Sequence, residues 1–429
     1  MRATTRVLMV NWTTRLFGGA ERYLEQSIAA LASRGVGVAL LTEGDDPVDR
    51  GAMDLPEDLP CWSHGRASLD EAARWKPTLV LDHGTRSSEL AAALGAVAPV
   101  VVVSHNYLGT CISGTKTHSS VTPRACERTL GWPCLLHYYP NRCGGLHPGT
   151  MIEGWHRNRA ARDRLRGAAG VLALSRHMAT EYERHGVRHD RIRIVPPPVE
   201  LRDSSAPRAP TPGEPWRIAF VGRFDALKGG GLLLDALPIA SDLLGAPIHL
   251  SLVGDGPERE RLEARAGKLV AETPRVSVRF TGWMSRDEVE SEMARHHLLA
   301  LPSVWPEPYG LVGLEAGAAG LPTVAFDAGG IGDWLQDGQG GVLVRERPRT
   351  GRAFARGLAR ALASVDGWRL LSDGARRAAR EHSPASFADA LLAAVAAWTG
   401  GATSGPAARA EPGLLITNAS VPGGGDACA

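Results

Sequence analysis

The feature that most limits how this chain can fold is a unit centred on residue 310. An apolar run at 298–301 reads as a buried strand. After it come Pro306-Glu307-Pro308-Tyr309-Gly310-Leu311-Val312-Gly313-Leu314-Glu315, then Pro322 and a second apolar run at 323–326. Pro306 and Pro308 block an early start, so the spacing predicts a helix opening near Gly310 and stopping at Gly320. Strand, loop, helix and strand in succession is the repeat of a parallel α/β sheet. A helix that opens at the carboxyl end of such strands offers unpaired backbone N–H groups to an anion, here those of Gly310, Leu311 and Val312.

Glu307 falls in the loop before that N-terminus, and Glu315 roughly one and a half turns into the helix. Carboxylates repel phosphate but accept paired hydrogen bonds from vicinal sugar hydroxyls. Two of them flanking an anion site suit a ligand with phosphate in the middle and a sugar at each end, which describes a nucleotide-sugar. Taken alone, two glutamates at this spacing are more often a capping residue and a solvated one.

Composition sets the frame. At 429 residues the chain is too long for one ordinary core, and a net charge of +2 gives no pull toward nucleic acid. No apolar run reaches the roughly 18 residues of a membrane span. The first strand lies too close to Met1 for a signal peptide, so the expectation is a cytoplasmic protein.

The alternation continues along the chain. Strands are expected at 6–10, 36–41, 78–81, 100–103, 171–174 and 192–195, with helices from Gly19, at about 87–94, and from a Ser175 cap to His185. Gly18 and Gly19 let the backbone approach a ligand at the end of the first strand, although a Gly-Gly pair before a helix is usually just a turn. No G-x-G-x-x-G lies between that strand and helix, which argues against NAD. His105, past the fourth strand, is either a structural hydrogen-bonder or a group reaching substrate.

Cys111, Cys126, Cys134 and Cys143 fall in a segment, 111–143, that breaks the alternation. Unligated thiols, a structural zinc and disulfides all stay open, and the short C-x2–4-C spacing of zinc sites is missing. The helix expected at 153–166 is strongly basic, either a solvated face or a contact with anionic lipid or an anionic acceptor.

Pro196-Pro197-Pro198 ends the first half, and a Pro-rich stretch through Pro215 reads as a linker. Strands at 218–221, 248–253, 276–280 and 341–344 complete a second sheet, with Thr281-Gly282-Trp283-Met284 as the expected wall for a nucleotide base. Arg223 and Lys228, five residues apart in the loop leaving the first of these strands, suit a pyrophosphate, Arg as a planar fork and Lys as a point charge. Helices at 352–365, 368–381 and 387–398 follow, and beyond Gly400 the composition reads as a disordered tail.

The string EPYGLVGLEA, with GLPTVA and GGI after it, resembles the Glu-x7-Glu signature of retaining glycosyltransferases of family 4. FGGAERY, VSHN, VGRFDALKGG and GDGPE are similar to further segments of that family. The resemblance covers most of residues 1–400. It implies a GT-B fold: two doubly wound, Rossmann-like parallel-sheet domains facing across a cleft.

On that basis 1–198 is the acceptor-side domain with its Cys-containing insertion, 199–215 the linker, 216–382 the donor domain, 383–399 a helix crossing back, and 400–429 the tail. The resemblance also implies a metal-independent transfer from a nucleotide-diphosphate sugar, with no cofactor, to a saccharide, lipid-linked or natural-product hydroxyl. Gly18, Gly19, Arg223, Lys228 and the amides at Gly310, Leu311 and Val312 would face phosphate. Glu315 would hold the ribose, and Glu307 and His105 the transferred sugar. Alternatives are an epimerase-like enzyme on the same fold and a non-catalytic nucleotide-sugar sensor, with peripheral contact at the inner face of a membrane as a further partner.

Overall fold

The structure, a computed structural model, describes residues 5–13, 18–43, 53, 55–63, 66–118, 124–201, 208–211 and 213–400. The expected tail from 401 onward and the middle of the expected linker, 202–207 and 212, lie outside these residues.

The first half carries strands β1 (Arg6–Asn11), β2 (Gly37–Thr42), β3 (Cys61–Ser63), β4 (Leu79–Asp82), β5 (Val100–Ser104), β6 (Thr117–His118), β7 (Arg124–Ala125), β8 (Gly170–Ala173) and β9 (Ile192–Ile194). Seven form one parallel sheet in the order β3-β2-β1-β4-β5-β8-β9, while β6 and β7 pair antiparallel on their own. The second half carries β10 (Trp216–Val221), β11 (Ile248–Val253), β12 (Val276–Gly282), β13 (Leu298–Leu301), β14 (Thr323–Phe326) and β15 (Gly341–Val344), parallel in the order β12-β11-β10-β13-β14-β15. Val7, Leu8, Met9, Val10, Leu298 and Leu299 are fully buried, as strands covered by helices on both faces must be.

In both sheets the order reverses beside the first strand, between β1 and β4 and between β10 and β13. Such reversals leave a crevice at the carboxyl ends of the strands, where open α/β sheets take ligands. The loops leaving β1, β10 and β13 carry Gly18, Arg223 with Lys228, and Glu307. Topology alone therefore gathers residues nearly 300 positions apart in sequence at two facing crevices.

The halves are tied at the far end of the chain. Helix Pro384–Thr399 lies on helix Gly19–Ser33 of the first half: the Phe387 ring meets Tyr23 edge-on at 5.2 Å, and Arg34 Nη2 reaches Asp389 Oδ1 at 2.5 Å. No described helix is long and apolar enough to cross a membrane.

Several local expectations are corrected. The basic helix runs Pro148–Gly167, opening earlier than expected because Pro148 occupies its first turn and the His147 side chain accepts from Gly149 N at 3.1 Å. The helix expected at 352–365 ends at Ala361, and the next starts at Val365, because Ser364 caps it by accepting from Gly367 N. Edge strand β3 and helix Arg66–Arg74 were not foreseen; the strand is three residues long and half-buried, too short for periodicity to show.

In the insertion Cys111, Cys126, Cys134 and Cys143 are all free. Burial pushes the Cys143 thiol up to about 12, with the neighbouring thiols of Cys111, Cys126 and Cys134 adding to the rise. Among the described residues no three His, Cys, Asp or Glu side chains are gathered as metal ligands.

Candidate active site

The floor of the second crevice is the loop after β10. Phe224 is buried between Phe220 and Phe280, with ring centroids 6.2 and 6.0 Å away, and it pins the loop so that Arg223 stays exposed beside it. Gly254 and Gly256 press on the loop from the side: a Cβ on Gly254 would sit 2.1 Å from Gly222 O, and one on Gly256 would sit 2.5 Å from Phe224 O. The glycines of GDGPE thus buttress the Arg223 loop. Arg223 O accepts from Asp225 N at 2.9 Å, while its guanidinium makes no hydrogen bond or ion pair to any described residue.

Lys228 ends a short turn, Ala226–Lys228, in which the Asp225 carboxylate accepts from Leu227 N at 2.8 Å. Leu227 O in turn accepts from Val304 N and Trp305 N at 2.9 and 3.2 Å, joining this loop to the one after β13. The join places Lys228 Nζ 4.9 Å from the centroid of the Trp305 ring and 2.7 Å from Glu307 Oε1. From sequence alone this ammonium is expected on phosphate and this carboxylate on sugar, as separate groups. In the structure they are ion-paired, with Glu307 buried at 4% exposure.

Glu307 is fixed through its backbone, donating from N to Ala328 O at 3.2 Å and accepting at O from Gly330 N at 2.7 Å. Three residues on, Gly310 adopts φ 80° and ψ 45°, a left-handed turn that a side chain would strain, and helix Leu311–Ala318 begins. Gly313 N donates to Gly310 O at 3.1 Å, so the amides its first turn leaves unpaired by helix carbonyls are those of Leu311 and Val312, four and five residues past Glu307.

Glu315 lies on the next turn and accepts from Arg22 Nη1 of the first half at 3.1 Å. Burial raises its carboxyl above the usual range, and Arg22 and Arg286 pull it back. These side chains, with Glu200, Val221, Val289 and Met293, line a cavity of about 280 Å³ between the halves. Glu200 bridges the cations, 3.9 Å from Arg22 Nη2 and 3.0 Å from Arg286 Nη2. Trp283, offered by the sequence as part of a base wall, is 79% exposed and does not line this cavity; helix Arg286–Met293 does.

Gly18 and Gly19 start the helix that carries Arg22, and a Cβ on either would meet nothing within 4 Å. His105 stands apart from the Lys228–Glu307 pair. It stacks on His83 at 5.4 Å with Nε2 3.2 Å from His83 Nδ1, and burial lowers it to about 4, so the imidazole is neutral. It opens on a separate pocket of about 50 Å³ that Asp82 and Arg164 also line.

Two further features bear on this site. Arg22 had a signal: it follows Gly19 by three residues, which on a helix is the same face. The latch of the Glu307 loop onto the first half had none: Tyr107 Oη donates to Pro306 O at 2.7 Å, and Trp305 Nε1 donates to Thr115 O at 2.7 Å.

Residues 18–198 match the family model described as a glycosyl transferase 4-like domain, and residues 202–377 the one described as glycosyl transferases group 1. The fold is that of GT-B glycosyltransferases, and the two matches together span most of the chain. Among the relatives of this chain, D-inositol 3-phosphate glycosyltransferase of Nocardia farcinica is 35% identical over 179 residues, 38% of each chain. Alpha-D-kanosaminyltransferase of Streptomyces kanamyceticus is 30% identical over 241 residues, 52% of this chain and 60% of the relative. The match therefore spans less than two thirds of either relative. The crystal structure of Anabaena Alr3699/HepE in complex with UDP and glucose has a TM-score of 0.64 at 18% identity, covering 91% of this chain and 99% of that one, which speaks for the fold.

Proposed function

We propose that this chain transfers a sugar from a nucleotide-diphosphate sugar to an acceptor hydroxyl, with retention at the anomeric carbon and without a metal. The observation that carries the reading is the convergence of Lys228, the first-turn amides of helix Leu311–Ala318 and Glu307 on one crevice, one helical turn from Glu315 and the interdomain cavity. The diphosphate takes Lys228 Nζ, the amides and Arg223 as its counter-charge. Glu307, relieved of its ion pair, accepts from hydroxyls of the transferred sugar. Glu315 accepts from the ribose, and the rest of the nucleoside fills the cavity beside Val221 and Met293.

The bond from the anomeric carbon to the β-phosphate oxygen breaks, and its electron pair leaves with the diphosphate. The acceptor oxygen attacks from the face the diphosphate vacates and passes its proton to a phosphate oxygen. Positive groups placed where leaving-group charge develops hold the transition state more tightly than the bound donor, each worth roughly 3 kcal/mol. UDP in the Anabaena complex agrees in kind with the donor assigned here.

The test is donor turnover measured with and without added acceptors. Slow acceptor-independent hydrolysis that disappears in Lys228→Ala supports the reading. Binding with no turnover across a broad panel of donors and acceptors would instead make the chain a sensor, and interconversion of donor sugars without an acceptor would make it an epimerase.

A further inference from the structure

Eleven large hydrophobic side chains are exposed among the described residues, and five of them, Trp132, Leu136, Tyr139, Leu146 and Ile152, lie within one 21-residue stretch of the Cys-containing insertion and the helix after it. The stretch already has an inward side. Cys134, Leu135 and Tyr138 pack with Ile112, Leu130, Met151 and Trp155, and the turn at Gly144 lies against the Tyr138 hydroxyl. Around the short helix Pro133–His137, residues 132, 136 and 139 follow each other at helical spacing on the side not used for this packing. The insertion therefore carries two apolar faces, only one of which is covered.

Charge around the uncovered face has one dominant sign. Residues 124–167 hold eight arginines against three acids, while the whole chain is only +2. Of the arginines, Arg124, Arg128, Arg142, Arg157, Arg159 and Arg166 are exposed, as are His147 and His156, and so are the three acids Glu127, Glu153 and Asp163. The interdomain cavity and the pocket beside His105 are lined elsewhere, and the five apolar groups project outward. Outward aromatic and aliphatic side chains ringed by arginines complement an anionic bilayer, where the rings sit at headgroup depth and the cations meet lipid phosphate.

We infer that the insertion is a peripheral docking surface for anionic lipid. The same insertion is latched to the Glu307 loop through Trp305 and Thr115, so docking sets the mouth of the cleft beside the bilayer. The docking surface stands on its own observations; only the consequence, an acceptor carried by lipid, rests on the transferase reading above.

Co-sedimentation of the full chain with vesicles of phosphatidylcholine containing phosphatidylglycerol, against pure phosphatidylcholine, tests it. The expected result is binding to the anionic vesicles only, lowered at least tenfold in the W132S/L136S/Y139S variant, and weakened by salt and in R142Q/R157Q/R159Q. Both variants should keep the native melting temperature and the same thermal shift with UDP or GDP as the unmodified chain, since none of these residues lines the donor cavity. A chain that sediments with neither vesicle, or an apolar triple variant that sediments as well as the native chain, overturns the inference. So does concentration-dependent self-association in the ultracentrifuge that the triple variant abolishes, because the face would then be a contact between two copies. Loss of donor turnover with lipid binding intact would strike the transferase reading instead.

Discussion

Lys228 shows how much one side chain carries. Its ammonium is held between the Glu307 carboxylate and the Trp305 ring, so it is aimed before any ligand arrives. Lys228→Ala is expected to lower donor turnover by a factor of about 10² to 10³, with a small effect on folding, read by steady-state kinetics beside a melting curve. His105 makes a different prediction, about pH. Its value in the folded chain is about 4, against 6.5 for an exposed histidine, and His83 beside it is also depressed by burial and by His105. The unfolded chain therefore binds more protons between those values. The contribution to stability is complete above about pH 6.5 and is lost as pH falls toward 4. In His105→Asn the fall in melting temperature over that window should be shallower, and an unchanged slope would assign the titration elsewhere.

Among elements, the loop between β13 and helix Leu311–Ala318 is set by contacts on three sides: Leu227 O beneath, Gly330 N above, and Tyr107 with Thr115 from the first half. Tyr107→Phe removes the hydroxyl that satisfies Pro306 O one residue before Glu307, leaving a buried acceptor unpaired. A loss of about 1–3 kcal/mol in denaturant unfolding is expected. Donor turnover should fall with it, because the loop bearing Glu307 loses its cross-cleft anchor. At the opposite wall, Gly256→Ala would force the Phe224 backbone away from a contact of 2.5 Å and shift the Arg223 loop, so weaker nucleotide binding in calorimetry is the expected readout.

At the scale of the molecule, the two sheets meet through the crossover helix as well as across the cleft. Phe387 is buried against Tyr23, so Phe387→Ala should cost roughly 3–5 kcal/mol and separate the thermal unfolding of the two halves into distinct transitions. A nucleotide held between the halves acts in the opposite sense. At a hundred times its dissociation constant it adds about 2.7 kcal/mol, so a melting screen of UDP-, GDP- and TDP-sugars identifies the donor.

Much of this architecture could be read from the chain itself. Strands β11, β13, β14 and β15 have the limits that their apolar runs and flanking Gly and Pro residues mark, because strands buried on both faces are continuous in sequence. The Pro306-Glu307-Pro308-Tyr309-Gly310 loop and the helix after it were equally legible, since proline and glycine act on their own backbone. What the chain could not show depends on distance in space. The pairing of Lys228 with Glu307, the reach of Arg22 across to Glu315 and the stacking of His105 on His83 join residues between 22 and 293 positions apart. The insertion's second apolar face is of the same kind. Which side of a helix is covered is decided only when its neighbours are in place, because burial belongs to the packed molecule, whereas helix and strand periods belong to the sequence.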